Sequence, residues 1–118
     1  IDPNQPNPYD YYPLPQPGER FPINDPNFPP RLDPRPDSDV AFLYGLLDSI
    51  ARIEAQGYAK LIELGATAPT QIFTAGGGAK NATWTTLRDR RLPAALRPAQ
   101  STDAAYGTAR LAQRQRLQ

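Results

Sequence analysis

Apolar residues between positions 38 and 65 recur every three or four places, which is the spacing of one face of a helix. Ser38 or Asp37 can cap the start of this helix, and Gly65 supplies its end. Gly45 and Gly57 lie inside it, where small residues indicate a closely packed neighbour, at a cost in helix propensity. The pattern predicts one long helix with a single broad buried face, formed by Phe42, Leu43, Leu46, Leu47, Ile50, Ile53, Tyr58, Leu61, Ile62 and Leu64.

Beyond this helix, short apolar runs alternate with turn signals. The pattern predicts, in order, a buried strand at 71–75, a glycine loop, a helix at 82–92, a short edge strand at 95–98 and a last helix at 103–114. Asn81 is the expected N-cap of the middle helix, with Trp84 and Leu87 on its inward side and Pro93 at its end. This alternation is typical of a layered α/β unit.

The first 37 residues, called the arm below, contain most of the chain's 15 prolines. Proline removes a backbone donor and fixes φ, so the arm is predicted to be extended rather than helical or β-sheet. Unlike a disordered linker, it is rich in aromatic residues, which include Tyr9, Tyr11, Tyr12, Phe21 and Phe28. We therefore expect an ordered arm whose rings pack on another surface, one only partly supplied by this chain.

The composition excludes several kinds of site. The chain has no cysteine, so neither disulfides nor thiolate metal sites are possible, and no histidine, the commonest general base and metal ligand. The net charge is only +1, although arginines crowd the C-terminal third. Aromatic residues do not interleave with them and aspartates interrupt them, so we predict a solvated helix face rather than a nucleic-acid surface. The arginines are Arg88, Arg90, Arg91, Arg97, Arg110, Arg114 and Arg116.

The chain is predicted to be part of a larger protein. It begins with Ile1 and has no methionine, so we expect residue 1 not to be a translation start. The core must come from roughly the last 80 residues, and a domain of that size is marginal alone. Neither an apolar run of membrane-spanning length nor a signal peptide is visible. We expect no membrane partner and a cytoplasmic location or, in a plant, the plastid stroma.

The glycine loop is the segment with the clearest candidate chemistry. It runs from Gly76 to Asn81, between a predicted strand and a predicted helix. Such a loop brings unpaired backbone amides and a helix N-terminus to one place, which favours an anion. Its spacing fits neither a Walker A loop nor the dinucleotide fingerprint. On spacing alone, a plain turn and a ligand loop remain equally good interpretations.

Longer stretches of the sequence resemble the FGGY carbohydrate kinases. The C-terminal part of that family is similar to "FTAGGGAKNATW" and, further on, to "TDAAYGTARLA". The family's Gly-Glu-Arg-x-Pro segment resembles "YYPLPQPGERFPINDP", and its long helix resembles "LLDSIARIEAQGYAKLIELGA". The similarity covers nearly the whole chain and looks strongest for the D-ribulose kinase branch, which is also described as xylulose kinase-like.

The resemblance implies an α/β fold of the actin-like, ribonuclease-H-like ATPase type, with residues 38–118 as the C-terminal part of the second, nucleotide-binding domain. It implies ATP and Mg²⁺ as cofactors, a ketopentose substrate and the upstream remainder of the same kinase as partner. Gly76, Gly77 and Gly78 would face the phosphates and ribose and Asn81 the adenine, with Ala79 and Lys80 completing the segment. The general base lies upstream in the family, so we expect no catalytic residue here and no activity from this chain alone. A D-xylulose kinase and a non-catalytic nucleotide-binding or interaction module are the alternatives.

Two details qualify the resemblance. The family commonly has a Leu-Gly-x-Pro-Val turn where this chain reads Arg91-Leu92-Pro93-Ala94-Ala95, so the path of residues 91–98 stays open. Glu19 or Arg20 can either orient phosphate or metal at a cleft or form an ion pair that fixes the arm. We favour the structural role.

Overall fold

The computed structural model describes residues 2–75, 78, 81–99 and 111–113. In chain order it contains helix α1 (Asp39–Glu63), strand β1 (Gln71–Thr74), helix α2 (Ala82–Arg91) and strand β2 (Ala95–Pro98). Residues 111–113 are also helical, and the rest of the helix predicted at 103–114 lies outside the described residues. The chain is therefore a small mixed α/β domain, and the predicted order of its first four elements is confirmed.

Helix α1 begins and ends at the residues that its sequence signals. The Ser38 side-chain oxygen accepts a hydrogen bond of 3.2 Å from the backbone N–H of Ala41. At the other end Gly65 has a φ of +105°, a conformation that favours glycine. Its N–H donates to Ile62 at 3.0 Å, and that of Ala66 donates to Leu61 at 2.9 Å. This pair of bonds is the Schellman motif, so both predicted ends are confirmed.

Strands β1 and β2 are parallel, and α2 is the crossover between them. Their register pairs Gln71 with Ala95 and Thr74 with Pro98. The strand predicted at 95–98 is confirmed, and it settles the path of the chain after α2: residues 92–94 bend directly into β2. Parallel strands need such a crossover because a tight turn cannot join them.

Strand β1 is buried on only one face. Its residues alternate, with Ile72 and Thr74 buried and Phe73 64% exposed. The buried strand predicted at 71–75 is therefore confirmed on one face only, and it ends at Thr74. The Thr74 side chain lies against α2, whereas within the described residues nothing covers Phe73 to the same extent.

The predicted apolar face of α1 is only partly buried. Five of its ten members are exposed by 37% or more, and Leu64 reaches 69%, whereas the other five are half-buried. The fully buried positions carry mostly small or polar residues: Tyr44, Gly45, Asp48, Ser49, Ala51 and Gly57. The arm and α2 approach α1 along these positions, where short side chains permit close contact and polar ones find partners. Phe42 and Leu47 of the predicted face also take part, through contacts with Tyr11 and with the core.

The arm packs on another surface, as predicted: the rings of Tyr9, Tyr11 and Phe21 lie against α1, while those of Tyr12 and Phe28 pack on each other. Tyr11 is fully buried and its backbone N–H donates to Ser49 Oγ at 3.1 Å. Its ring stacks on that of Tyr9, with 5.4 Å between centroids. A Cβ on Gly45 would lie 2.8 Å from the Tyr11 ring, so the predicted close neighbour of this glycine is confirmed. Phe21 lies against Gly57 in the same way.

Two arginines of α2 join it to α1. Arg88 makes a bidentate pair with Glu54, both bonds 2.8 Å, and Arg91 makes one with Asp48 at 2.9 and 2.8 Å. Burial raises the pKa of the Asp48 carboxyl, but hydrogen bonds from Arg91 and Asn7 outweigh it, so that the pKa is lowered. The predicted solvated arginine face is thus wrong for Arg88, which is buried, whereas Arg90, Arg91 and Arg97 are exposed. Arg110, Arg114 and Arg116 lie outside the described residues.

Of the helices in the described part of the chain, none combines the length and the hydropathy needed to cross a lipid bilayer.

Candidate functional site

The glycine loop joins the carboxyl end of β1 to the N-terminus of α2. Its two anchors are Thr74, the last residue of β1, and Asn81, the residue before α2. Of the predicted site residues, Gly78 and Asn81 are described. Gly76, Gly77, Ala79 and Lys80 lie outside the described residues. Loops at the carboxyl ends of parallel strands are a common place for ligands in α/β proteins.

Asn81 is the N-cap of α2, as predicted. Its backbone is extended, with φ −84° and ψ 110°, and its Oδ1 accepts a hydrogen bond of 2.9 Å from the backbone N–H of Trp84. The Asn81 N–H in turn donates to the Gly78 carbonyl at 3.1 Å. The amides of the first helical turn have no partners inside the helix, and the helix dipole favours negative charge there.

Gly78 lies against the side chain of Trp84. A Cβ at Gly78 would be 3.2 Å from Trp84 Nε1 and 3.3 Å from its Cδ1. Trp84 is half-buried and packs against the small core of Tyr44, Ala51 and Leu87. The inward positions predicted for Trp84 and Leu87 are therefore confirmed. The indole lies against the Gly78 backbone, and a Cβ at this position would require a shift of a few tenths of an ångström.

A buried polar network lies at the base of the loop. Thr74 Oγ1 accepts a hydrogen bond of 2.6 Å from Arg88 Nη1, and both residues are only 8% exposed. The bidentate pair with Glu54 raises the pKa of Arg88 and keeps the guanidinium charged. Its Cζ also lies 5.6 Å from the centroid of the Trp84 ring.

Sequence reasoning missed this network. Trp84 and Arg88 are four residues apart on a predicted helix, so their shared face was available as a signal. No local pattern indicates the partner of Arg88, because Glu54 lies 34 residues away on another helix.

Glu19 and Arg20 belong to a separate cluster within the arm. The Glu19 carboxylate accepts hydrogen bonds from the Tyr12 hydroxyl at 2.8 Å and from the Arg20 N–H at 2.9 Å. The bond from Tyr12 is the main cause of the lowered pKa of Glu19. Burial, followed by the bond to Glu19, raises the pKa of Tyr12 to about 12. These contacts fit a structural role for Glu19, although its partners are a hydroxyl and a backbone amide rather than the expected guanidinium.

The two described residues of the loop, Gly78 and Asn81, lie at the N-terminus of α2 and at one end of the parallel sheet, where the helix dipole and unpaired amides would favour an anion. Within the described ranges, no three His, Cys, Asp or Glu side chains come together in a way that could hold a metal ion. Compared with models of known protein families, the chain matches none.

Proposed function

We propose that the chain is the closing, ATP-binding part of a carbohydrate kinase that transfers the ATP γ-phosphate to a ketopentose. The observation that carries the proposal is the strand–loop–helix geometry: a glycine-rich loop leaves the carboxyl end of a parallel strand and enters a capped helix. The resemblance to the FGGY kinases supports the same assignment. It adds an actin-like, ribonuclease-H-like ATPase domain as the larger fold, of which the described α/β unit is one part.

In this proposal the loop binds the nucleotide through its backbone. Gly76, Gly77 and Gly78 approach the phosphates and the ribose, where a side chain would stand in the way. Ala79 and Lys80 continue the binding segment. Asn81 uses Oδ1 for the helix cap, and its amino group carries two donors suited to acceptor atoms of the adenine.

ATP binds as its Mg²⁺ complex. The nucleotide phosphates would be the main ligands of the ion, so no residue of the described ranges is proposed to hold Mg²⁺. When bound, Mg²⁺ would supply charge neutralisation at the transferred phosphoryl group. The chain's own task is to position the nucleotide, because phosphoryl transfer depends mainly on positioning and on electrostatic stabilisation.

The general base and the sugar contacts belong to the upstream remainder of the protein. We therefore propose no catalytic residue in this chain and no activity from residues 1–118 alone. We propose D-ribulose as the substrate on the basis of the resemblance. D-xylulose stays the alternative, since the residues that distinguish the two sugars lie outside this chain.

The test is the substitution Gly77→Val in the complete protein that contains this chain. A branched side chain at Gly77 blocks the approach of the backbone to the phosphates, so MgATP binding measured by titration calorimetry should be lost. Gly65→Val is the matched control: it strains a left-handed glycine at the end of α1, outside the loop, with nothing within 4 Å of the added Cβ. It should lower stability and leave MgATP affinity unchanged. Wild-type affinity in Gly77→Val would refute the assignment of the loop.

A non-catalytic interaction module that binds a partner through its proline-rich arm is the rival. The packing of the arm argues against it, because Tyr11 and Tyr12 are buried and Tyr11 is bonded to α1. A free docking peptide would keep such rings available to its partner.

A further inference from the structure

Arg88 makes three contacts, two of which lead to the glycine loop. Its Nη1 donates to Thr74 Oγ1, in the last residue of β1 before the loop. Its guanidinium lies over the ring of Trp84, which contacts Gly78 within the loop. In the third contact, Arg88 Nε and Nη2 donate to the two carboxylate oxygens of Glu54 on α1.

These contacts connect residues on both sides of the loop to one planar group. Thr74 precedes the loop, and at its other end the backbone N–H of Trp84 donates to the Asn81 cap. The planar guanidinium fixes the directions of all its donors at once, and the bidentate pair with Glu54 holds that plane against α1. Arg88 therefore contacts Thr74 and Trp84, which flank the loop on its two sides.

We propose that Arg88 is a positioning residue for the nucleotide loop, acting through Thr74 and Trp84 with Glu54 as its support. The inference rests on the proposed nucleotide-binding function and assigns it a residue that touches neither ATP nor sugar. Arg88 and Thr74 are both buried, so water does not compete for their hydrogen bond.

Arg91 provides a matched control on the same helix. It also makes a bidentate pair with a carboxylate of α1, at nearly the same distances. Its partner Asp48 contacts Asn7 of the arm instead of β1. Loss of the Arg91 pair therefore weakens the contact between the helices without touching the loop.

The experiment measures MgATP affinity by titration calorimetry, together with the KM for the ketopentose and the melting temperature, in the complete protein. Arg88→Lys keeps the charge but loses the bidentate geometry, and Thr74→Val removes only the acceptor oxygen. We expect each to weaken MgATP binding by about tenfold, the scale of a modest misplacement of binding groups, with the sugar KM unchanged. Thr74→Ser keeps the hydroxyl oxygen, so this variant should bind MgATP as the wild type does. Arg91→Lys should lower the melting temperature and leave MgATP affinity within about twofold.

The outcomes separate this inference from the proposed function. A wild-type protein that binds no MgATP overturns both. A wild type that binds MgATP, with Arg88→Lys and Thr74→Val binding equally well, overturns only the role of Arg88. Weakened binding in Thr74→Ser overturns it too, since side-chain size rather than the hydrogen bond would then be responsible.

Discussion

Alanine at Gly45 and alanine at Gly57 should change stability in opposite directions, although both glycines are buried inside α1. In each case, replacing glycine in a helix interior gains about 1 kcal/mol of helix propensity. The difference between the two sites lies in what the added methyl group meets and in whether that neighbour can move.

At Gly45 the steric cost exceeds the gain. The new Cβ would lie 2.8 Å from Cε2 of Tyr11 and 3.3 Å from Cδ2 of Tyr9, well inside the optimal carbon separation of about 3.5–4.0 Å. Tyr11 cannot retreat, because it is fully buried and its hydroxyl donates to the Pro34 carbonyl at 2.5 Å. Overpacking of this kind costs about 1–3 kcal/mol, so we expect Gly45→Ala to lose about 1 kcal/mol net.

At Gly57 the propensity gain exceeds the cost. The Cβ would lie 3.1 Å from Cε1 of Phe21, whose side chain is 44% exposed and can rotate away. Gly57→Ala should therefore gain about 0.5 kcal/mol. Urea unfolding of the wild type and both variants, followed by circular dichroism, measures the two changes. Equal effects at the two sites, or a Gly45→Ala variant as stable as the wild type, would refute this account of how the arm packs.

Three further predictions concern the contacts that hold the arm and α1. The pKa of Tyr12 is raised from 10.0 to about 12. The protonated hydroxyl therefore contributes fully to the free energy of unfolding below pH 10.0, and this contribution is lost as the pH rises through about 12. Tyr12→Phe should flatten that alkaline loss in urea titrations. The pKa of Asp48 is lowered from 3.8, so its carboxylate stabilises the fold fully above pH 3.8. This stabilisation is lost as the pH falls below 3.8 through the lowered pKa. Asp48→Asn should lower the free energy of unfolding at neutral pH by about 2 kcal/mol, as measured by denaturant unfolding. A loss below about 0.5 kcal/mol would contradict a stabilising ion pair with Arg91. Gly65→Ala should lower stability by about 1 kcal/mol because alanine is strained at a φ of +105°, and an unchanged melting temperature would argue against the Schellman end.

The sequence predicts the elements of this fold because their signals are local. Ser38, Gly65 and Asn81 mark helix ends through bonds to residues at most four positions away. The sequence likewise indicates that Gly45 has a close neighbour, since only proximity to another element explains a glycine there. It does not identify the neighbour, which proves to be Tyr11, 34 positions earlier in the chain.

The face on which α1 packs could not be predicted in the same way. Periodicity identifies the stripe with the most apolar residues, but the arm and α2 bury the positions that accept Tyr11, Arg88 and Arg91 and cover the apolar stripe only in part. Those contacts span more than 30 residues of sequence and depend on geometry that no local pattern encodes. For the candidate site, the Asn81 cap followed from the sequence, whereas the contact of Gly78 with Trp84 and the supporting pair of Arg88 and Glu54 did not.

The measurement that tests the central claim most directly is ATP-dependent phosphorylation of D-ribulose by the complete protein that contains this chain, with D-xylulose in a parallel reaction. The account predicts formation of ADP and a sugar phosphate that depends on Mg²⁺, on the ketopentose and on an intact Gly77. A protein that is folded and binds MgATP but phosphorylates neither sugar would contradict the kinase assignment.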